Sequence, residues 1–473
     1  MKRTKIGATL GPATQDIVVI EKMVKAGVNF VRLNFSHGTY PDHARIIKNV
    51  RLVEKITGEP LAVLQDLQGP KMRLGILPEP GVKVKLGEKI VFNTKLKSFS
   101  GKVFPITYPG LEKFLKSGEH MLIDDGRVEV KITVVKGAII TAHVIQGGLL
   151  SSHKGFNFPQ SNLSSIPALS LKDKADVAFG VKQGVDIISL SFVKHAQDIL
   201  ELKKLIAQEQ KKQNPHPIMV LAKIERPEAV KNLKAIIIAA DAIMVARGDL
   251  GLELPEEKLA LLQKKIIHEC NRAGKPVIVA TQLLDSMQHN LRPTRAEATD
   301  VANAVIDHTD ALLLTNETAV GDHPVECVKT LHDIIVATEK SAYDDVPLPT
   351  PRKGATNSAA IAGLSRFLAE EVQAKAIVAS ADNGATIRLI SQARPELPIL
   401  AASPFPTLSR HLNISWGVKP FNHSTINSTQ ELVQAVSVYL KKNKLAKAGD
   451  KMIVVGSEGK KIDVNAVEVR EIL

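Results

Sequence analysis

The chain has 473 residues, 44% of them hydrophobic and 23% charged, which is the composition of an ordinary globular protein of two to four domains. Its formal net charge of +13 favours anionic partners, among them phosphorylated metabolites and nucleic acid. Nucleic acid is disfavoured because aromatic residues make up only 4% of the chain and the basic residues are spread along it.

Short apolar runs alternate with longer segments of helical pattern over residues 1–70 and 166–345. The runs are rich in Val, Ile and Leu without polar alternation, which is typical of parallel strands buried on both faces. Thr294 and Glu297 have the spacing of a capping box, which predicts that one of these helices begins at Thr294. This order favours a (β/α)8 TIM barrel over an open doubly wound sheet. The predicted strands are Lys5–Leu10, Asn29–Phe35, Leu61–Leu67, Asp186–Phe192, Ile218–Glu225, Asp241–Leu250, Pro276–Leu284 and Asp310–Thr318.

Residues 71–165 do not follow this alternation of strands and helices, and contain short strand-like runs separated by turn residues. They predict a small β-barrel domain inserted between the third and fourth barrel strands. A proline-rich linker from Val346 to Pro351 ends the barrel, and residues 352–473 read as a separate C-terminal α/β domain. The strands predicted in these two domains are Lys89–Phe92, His120–Ile123, Val128–Thr133, Ile139–Val144, Ala376–Ala381, Pro398–Ala402 and Lys451–Gly456.

Polar and charged side chains stand at the carboxyl ends of six predicted barrel strands, where the active sites of such barrels lie. Glu225 and Asp249 offer two carboxylates of the kind that hold Mg²⁺ or Mn²⁺. Lys223 shares a strand face with Glu225 and could stabilise a transferring phosphoryl group. Arg32 and Arg73 could bind phosphate oxygens through bidentate hydrogen bonds. The alternative for Lys223 and Glu225 is an internal ion pair that closes the end of the barrel.

Five segments closely resemble the signature segments of pyruvate kinases, in that family's order and spacing. The resemblance covers essentially the whole chain and rests on Arg32–Gly38, Leu221–Glu225, Met244–Gly251, Ala280–Gln282 and Pro293–Glu297. It implies a glycolytic enzyme that transfers the phosphoryl group of phosphoenolpyruvate to ADP, giving pyruvate and ATP. It also implies a homotetramer and an inserted β domain that acts as a lid over the site.

The same resemblance assigns roles to individual residues. It places Lys223 beside the transferring phosphoryl group, Arg32 and Arg73 on substrate phosphates, and Mg²⁺ or Mn²⁺ on Glu225 and Asp249. Thr281 would guide a proton to the enolpyruvate carbon. Backbone groups bind the substrate carboxylate at Ala246, Arg247 and Gly248, and the residues that face the nucleotide are Asn34, His37, Arg73, Asp124 and Lys154.

The family's monovalent-cation pocket corresponds to Asn34, Ser36, Asp66 and the carbonyl of Leu67. Lys71 stands where the potassium-requiring enzymes of the family carry a glutamate. A glutamate there needs a bound cation to balance it, whereas a lysine supplies a fixed ammonium. We hypothesise that Lys71 replaces the potassium ion and that activity does not require K⁺. In the alternative, the Lys71 side chain simply points to solvent.

The segment Ser380–Thr386, between a predicted strand and helix, resembles the family's loop for sugar-phosphate effectors. Such a loop binds phosphate through backbone amides, hydroxyls and the helix N-terminus. Asp382 would repel a phosphate, or it caps the helix. Allosteric regulation by a phosphorylated effector and loss of that regulation both fit this loop, whose candidate residues are Ser380, Asn383, Gly384 and Thr386.

Cys270 and Cys327 are too few for a disulfide framework or a thiolate metal site, and they indicate a reducing compartment. Gly11 and Pro12 interrupt the first apolar run, and no run reaches the ~18 residues of a membrane helix. We therefore expect a cytoplasmic protein without membrane or nucleic-acid partners.

Two other functions fit parts of this pattern. A metal-dependent barrel lyase acting on pyruvate-type substrates would share the carboxylate pair, but it needs fewer phosphate-facing cations. A non-catalytic scaffold would be expected to have lost one of the site groups, and all of them are present: Arg32, Arg73, Lys223, Glu225, Asp249 and Thr281.

Overall fold

The computed structural model of the protein describes residues 1–211, 216–347, 356–380, 384–422, 428–456 and 466–473. The N-terminal segment forms three parallel strands joined by two helices. The second helix begins with a capping box of Thr39 and Asp42 and is capped at its C-terminus by Gly58, whose φ of 70° suits glycine. These elements are β1 (Lys5–Leu10), α1 (Ile17–Lys25), β2 (Phe30–Asn34), α2 (Tyr40–Thr57) and β3 (Ala62–Asp66).

A β domain with its own apolar core follows β3. Its strands are β4 (Val82–Val84), β5 (Lys89–Asn93), β6 (Val103–Pro105), β7 (His120–Ile123), β8 (Val128–Lys136), β9 (Ile139–Gln146), β10 (Gly148–Leu150) and β11 (Phe156–Asn157). Six of them form a sheet in the order β11-β7-β8-β9-β5-β6, and β10 pairs with β4. We call this region the lid domain.

The chain then returns to the barrel with five more strands. These elements are α3 (Leu171–Gln183), β12 (Ile187–Leu190), α4 (Ala196–Gln210), β13 (Met219–Ile224), α5 (Pro227–Lys231), α6 (Leu233–Ala239), β14 (Ala242–Ala246), α7 (Arg247–Glu253), α8 (Glu256–Ala273), β15 (Val277–Ala280), α9 (Arg295–Ile306), β16 (Ala311–Leu314), α10 (Asn316–Ala319) and α11 (Pro324–Glu339). The eight parallel strands close in the order β1-β16-β15-β14-β13-β12-β3-β2. The predicted (β/α)8 barrel is confirmed, and the open doubly wound alternative is wrong.

Several barrel strands end earlier than predicted. The strand predicted over Asp241–Leu250 extends past the apolar run, since β14 ends at Ala246 and the predicted residues from Arg247 onwards lie in helix α7. Likewise β16 ends at Leu314, and the predicted strand residues Asn316–Thr318 belong to α10. In both strands the apolar run stops at the observed strand end, and the predictions were too long because they included the polar residues that follow.

Alternate strand residues divide between two apolar clusters. Ile243 and Val245 of β14 join the large cluster between strands and helices, whereas Ala242 and Met244 join the smaller cluster inside the ring. The inner cluster also includes Ile414 from the C-terminal part of the chain. Its other members are Phe30, Ala62, Leu64, Ile187, Met219, Leu221, Ile278, Ala280, Ala311 and Leu313.

The C-terminal part forms a five-stranded sheet with helices. Its elements are α12 (Asn357–Glu371), β17 (Ile377–Ser380), α13 (Ala385–Gln392), β18 (Ile399–Ser403), α14 (Pro406–Leu412), β19 (Val418–Asn422), α15 (Thr429–Lys442), β20 (Lys451–Gly456) and β21 (Ala466–Glu471). The strand order is β19-β18-β17-β20-β21, with β21 antiparallel to β20. Strands β19 and β21 were not predicted, because β19 contains Pro420 and half of the residues of β21 are charged. Most of the predicted linker lies outside the described residues.

This C-terminal domain packs against the amino ends of the barrel strands. Two guanidinium groups contact the Trp416 ring, with Arg3 and Arg394 each 5.2 Å from the ring centroid. Arg394 in turn pairs with Asp310, which directly precedes β16, at 3.1 Å. The C-terminal domain therefore leaves the carboxyl ends of the strands uncovered, on the side of the barrel where the lid domain lies. None of the described helices is both long and apolar enough to cross a membrane.

Candidate active site

A buried lysine ammonium lies at the centre of the carboxyl end of the barrel. Strand β13 presents Lys223 and, directly after its last residue, Glu225 on the same face. Lys223 Nζ lies 2.8 Å from Glu225 Oε1, 3.4 Å from Asp66 Oδ2 and 3.0 Å from Ser191 Oγ. Burial by itself lowers the pKa of Lys223, but the carboxylates of Asp66 and Glu225 raise it above its ordinary value. The ammonium is therefore held in its charged form.

Asp66, at the end of β3, joins this lysine to Arg32 of β2. Arg32 donates to Asp66 Oδ2 from Nε at 2.8 Å and from Nη2 at 2.5 Å, and Ser189 Oγ donates to Oδ1 at 2.6 Å. Burial opposes ionisation of Asp66, yet the charges of Lys223 and Arg32 lower its pKa to about 2. Asp66 is thus a permanent anion between two permanent cations.

Glu225 and Asp249 form the carboxylate pair predicted to hold a metal. Glu225 Oε2 accepts the Phe192 amide at 2.7 Å, while its buried Oε1 is ion-paired with Lys223 and accepts no hydrogen bond from a described residue. Burial raises the pKa of Glu225 and the nearby charge of Asp249 raises it further, against the effect of Lys223. A divalent cation would relieve this repulsion, so the donor set fits Mg²⁺ or Mn²⁺.

The metal would have few other protein ligands. The described residues contain no group of three or more His, Cys, Asp or Glu side chains arranged to hold an ion. The remaining coordination positions would go to water and substrate oxygens, which is the usual arrangement for Mg²⁺ at phosphate-transferring sites.

Thr281 follows β15 in a strained turn. Its φ is 72° and that of Gln282 is 53°, a left-handed conformation that is costly for a β-branched residue. Thr281 Oγ1 accepts the Gly248 amide at 2.7 Å and donates to the Ala280 carbonyl at 2.6 Å. Of the three residues predicted to bind a carboxylate through backbone groups, Gly248 thus contacts Thr281, while Ala246 ends β14 and Arg247 opens α7.

The residues of the predicted monovalent-cation pocket are internally bonded. Asn34 Oδ1 accepts the Ser36 amide at 3.1 Å, and the Leu67 carbonyl accepts Ser191 Oγ at 2.6 Å. The fourth member, Asp66, is bonded as described above. Lys71 is half-buried in the loop after β3 and forms no ion pair with a described residue. It is therefore a cation without a carboxylate partner in the described part of the chain.

The candidate nucleotide residues lie on both sides of the barrel–lid junction. In the lid, Lys154 Nζ pairs with Asp124 Oδ1 at 2.8 Å, and Arg73 Nη1 donates to the His153 carbonyl at 3.2 Å. On the barrel side, loss of hydration lowers the pKa of His37, and the cations Arg73, Lys71 and Arg32 lower it further. The structure therefore brings lid and barrel cations close to His37.

The predicted effector loop lies in the C-terminal domain, away from these groups. Ser380 is exposed at the end of β17, and Gly384 has a φ of 75° directly before α13, which contains Thr386. Asn383 and Asp382 lie outside the described residues. The domain covers the opposite end of the barrel from Lys223.

Three contacts of the site were not predicted. Ser189 of β12 donates to Asp66, Ser191 directly after β12 accepts from Lys223, and Asp300 of α9 pairs with Arg247 at 2.5 Å. The rule that sites lie at strand ends would have found Ser191, because it directly follows β12. No local signal marked Asp300, because it lies in the middle of a helix.

Comparison with known proteins agrees with this arrangement. The family model "Pyruvate kinase, barrel domain" matches residues 1–328, and "Pyruvate kinase, alpha/beta domain" matches residues 359–470. The chain is 39% identical to a pyruvate kinase of Geobacillus stearothermophilus over 96% of this chain and 77% of that protein. It is 42% identical to pyruvate kinase 2 of Synechocystis sp., over 96% of this chain and 76% of that protein.

A solved structure has the same fold over the whole length. The pyruvate kinase from Cryptosporidium parvum superposes with a TM-score of 0.91 at 32% identity, covering 100% of this chain and 96% of that one. Family models, similar sequences and this structure all lead to one assignment: the chain belongs to the pyruvate kinase family.

Proposed function

We propose that the protein transfers the phosphoryl group of phosphoenolpyruvate to ADP, giving pyruvate and ATP. The observation that carries this proposal is the buried, charged Lys223 at the carboxyl end of the barrel, beside the carboxylates of Glu225 and Asp66. Membership of the pyruvate kinase family supports the same reaction and its place in glycolysis.

In this reaction the positive groups stabilise charge that moves between oxygen atoms. Lys223 would neutralise the phosphoryl group as it leaves the enolate oxygen, and Arg32 and Arg73 would hold phosphate oxygens. Mg²⁺ or Mn²⁺ on Glu225 and Asp249 would, when bound, withdraw charge from the substrate oxygens. The raised pKa of Glu225 supports this assignment, because a cation is needed to keep both carboxylates ionised.

The second half of the reaction is a proton transfer. After the phosphoryl group leaves, the enolate of pyruvate takes a proton at its terminal carbon, and Thr281 would guide that proton. Backbone groups of Ala246, Arg247 and Gly248 would hold the substrate carboxylate. The lid domain would exclude water, with Asp124, Lys154, Asn34 and His37 facing the nucleotide.

We also propose that activity does not require potassium. The support is that Lys71 is half-buried and pairs with no carboxylate of the described chain, so its ammonium is available to replace a cation. The effect of Lys71 on the pKa of His37 indicates that its charge acts within the site region. A charge directed only into solvent would have a weaker effect there.

The remaining proposals rest on family membership. We propose a homotetramer in the cytoplasm, and a phosphorylated effector that binds near Ser380, Asn383, Gly384 and Thr386. The net charge of +13 is consistent with anionic ligands at both sites.

Pyruvate formation from phosphoenolpyruvate, ADP and Mg²⁺ tests the reaction directly. Lys223→Met should lower kcat by about 10²–10³-fold, because a charge-stabilising donor is lost in the transition state. Lys174→Met, at an exposed position of α3, is the matched control and should keep full activity. An inactive wild type, or a Lys223→Met variant as active as the control, would refute the proposal. Pyruvate release that needs no ADP would point to the lyase alternative.

A further inference from the structure

The side chain of Arg247 connects three elements that carry the site. Arg247 is the first residue of α7, and its side chain is only 8% exposed. Its Nε and Nη2 donate to the Thr281 carbonyl at 3.2 and 2.8 Å, and Nη2 also donates to the Gln282 carbonyl at 2.8 Å. One guanidinium therefore binds two successive carbonyl groups of the turn after β15.

This turn needs such support because its backbone is strained. Thr281 and Gln282 both have positive φ, a conformation that costs about 1–3 kcal/mol for a non-glycine residue unless its surroundings hold it. Both residues lie after the last residue of β15, and both carbonyls accept hydrogen bonds from the Arg247 side chain. Without Arg247 the turn could relax, and the hydroxyl of Thr281 would move with it.

Asp300 fixes the orientation of this guanidinium. Its Oδ2 lies 2.5 Å from Arg247 Nη1, whereas the other neighbour of Nη1, Gln263, is 3.5 Å away. A guanidinium is planar, so an anion that holds Nη1 also sets the direction of Nε and Nη2. The capping box of Thr294 and Glu297 anchors α9, which carries Asp300.

The same guanidinium links the proton-guiding hydroxyl to the candidate metal carboxylate. Gly248, the next residue of α7, donates its amide to Thr281 Oγ1 at 2.7 Å, and Asp249 follows it. A rotation of Arg247 would therefore shift the hydroxyl and the first turn of α7 together.

We propose that Asp300 is a positioning residue for proton delivery by Thr281. It acts through Arg247 on the strained Thr281–Gln282 turn and touches neither substrate nor metal. The inference rests on the proposed function, because it takes Thr281 as the group that guides the proton.

The test is a double-mutant cycle in kcat and KM for phosphoenolpyruvate. Asp300→Ala should lower kcat about 10–100-fold and change KM by less than about threefold, because a displaced hydroxyl affects the proton step more than substrate binding. Adding Asp300→Ala to Thr281→Ala should cause little further loss, since both act on one group. The exchange of the pyruvate methyl protons in D₂O, followed by NMR, should slow in Asp300→Ala by a similar factor.

Asp307→Ala is the matched control. Asp307 directly follows the same helix, its side chain is 11% exposed, and it pairs with Lys264 and not with Arg247. It should keep wild-type kcat. Asp300→Asn retains an oxygen acceptor for Arg247 Nη1, so it should lose less activity than Asp300→Ala and provides the measurement if Asp300→Ala does not fold.

Each unfavourable outcome has a separate meaning. A wild type that makes no pyruvate would refute the proposed function. With an active wild type, the inference fails if Asp300→Ala keeps full kcat, if the two single losses multiply in the double variant, or if proton exchange is unchanged. It also fails if Asp307→Ala is equally damaging.

Discussion

Lys223 combines two roles that the sequence presented as alternatives. It forms the internal ion pair with Glu225, and it is also the cation placed at the open end of the barrel. A buried ion pair is weak evidence for stability, because desolvation offsets its attraction. The second carboxylate, Asp66, explains why the lysine keeps its charge, and a charged lysine is what phosphoryl transfer requires.

A change of charge at the single residue Lys71 tests whether activity requires potassium. Lys71→Glu should lower activity in the absence of K⁺ by at least about tenfold, or about 1.4 kcal/mol of transition-state stabilisation, because a fixed cation becomes an anion. Added K⁺ should restore the variant while changing the wild type less than about twofold. The measurement is pyruvate formation with KCl against tetramethylammonium chloride at equal ionic strength.

Lys71→Gln is the control that removes the charge without reversing it. It should be less impaired than Lys71→Glu in the absence of K⁺. A wild type that is active only with K⁺ would contradict the hypothesis and leave the phosphoryl transfer untouched.

At the scale of elements, helix starts fix the loops that follow the strands. Ser170 Oγ caps α3 by accepting the Asp173 amide at 3.1 Å, and the Asp173 carboxylate in turn accepts the Ser170 amide at 2.8 Å. Asp173 also accepts the Gly69 amide at 3.1 Å, which anchors the loop that leads to Lys71. The N-terminus of one barrel helix therefore helps to place a predicted cation of the site.

Removing this cap should destabilise the barrel. Ser170→Ala should lower the free energy of unfolding by about 1 kcal/mol, because the first-turn amide of Asp173 loses its acceptor. Urea denaturation measures the change, and Ser165→Ala at an exposed position is the control. Equal midpoints for the two variants would show that the capping box adds no stability.

At the scale of the whole molecule, the C-terminal domain closes the end of the barrel opposite the site. Ile414 completes the inner apolar cluster, and Lys5 of β1 donates its buried ammonium to the Val418 carbonyl. Burial lowers the pKa of Lys5 to about 7, with a further contribution from Lys419. A titrating group thus lies in the contact between the two domains.

This lysine predicts a dependence of stability on pH. An unfolded lysine has a pKa of about 10.4, so between about pH 7 and pH 10 the unfolded state binds more protons than the folded state. Stability conferred by Lys5 should therefore rise with pH over that range. Urea denaturation at about pH 7 and about pH 10 gives the free energy of unfolding of wild type and of Lys5→Met. The value for the wild type should rise relative to that of the variant as the pH increases.

The control for this experiment is Lys375→Met, which removes an exposed lysine of the C-terminal domain. The difference in free energy of unfolding between wild type and Lys375→Met should be the same at about pH 7 and about pH 10. A constant difference between wild type and Lys5→Met would mean that Lys5 stays protonated in the fold.

The sequence by itself determined the fold class, the family and most of the candidate site. Apolar runs without alternation indicated the barrel because parallel strands are buried on both faces, and the strand-end rule selected Lys223, Glu225 and Thr281. These features are local or periodic, so they are visible in one chain. The end of β14 was predicted too late, because the sequence does not show that the backbone changes from strand to helix at the polar residues that follow Ala246.

Only the tertiary structure decided how distant residues act on the site. Asp66 and Lys223 are 157 positions apart, yet they share one charge network. Asp300 and Arg247 are 53 positions apart, and their contact depends on how α9 packs beside α7. Electrostatic effects and hydrogen bonds act through space over a few ångströms, so no pattern along the chain could reveal these partners.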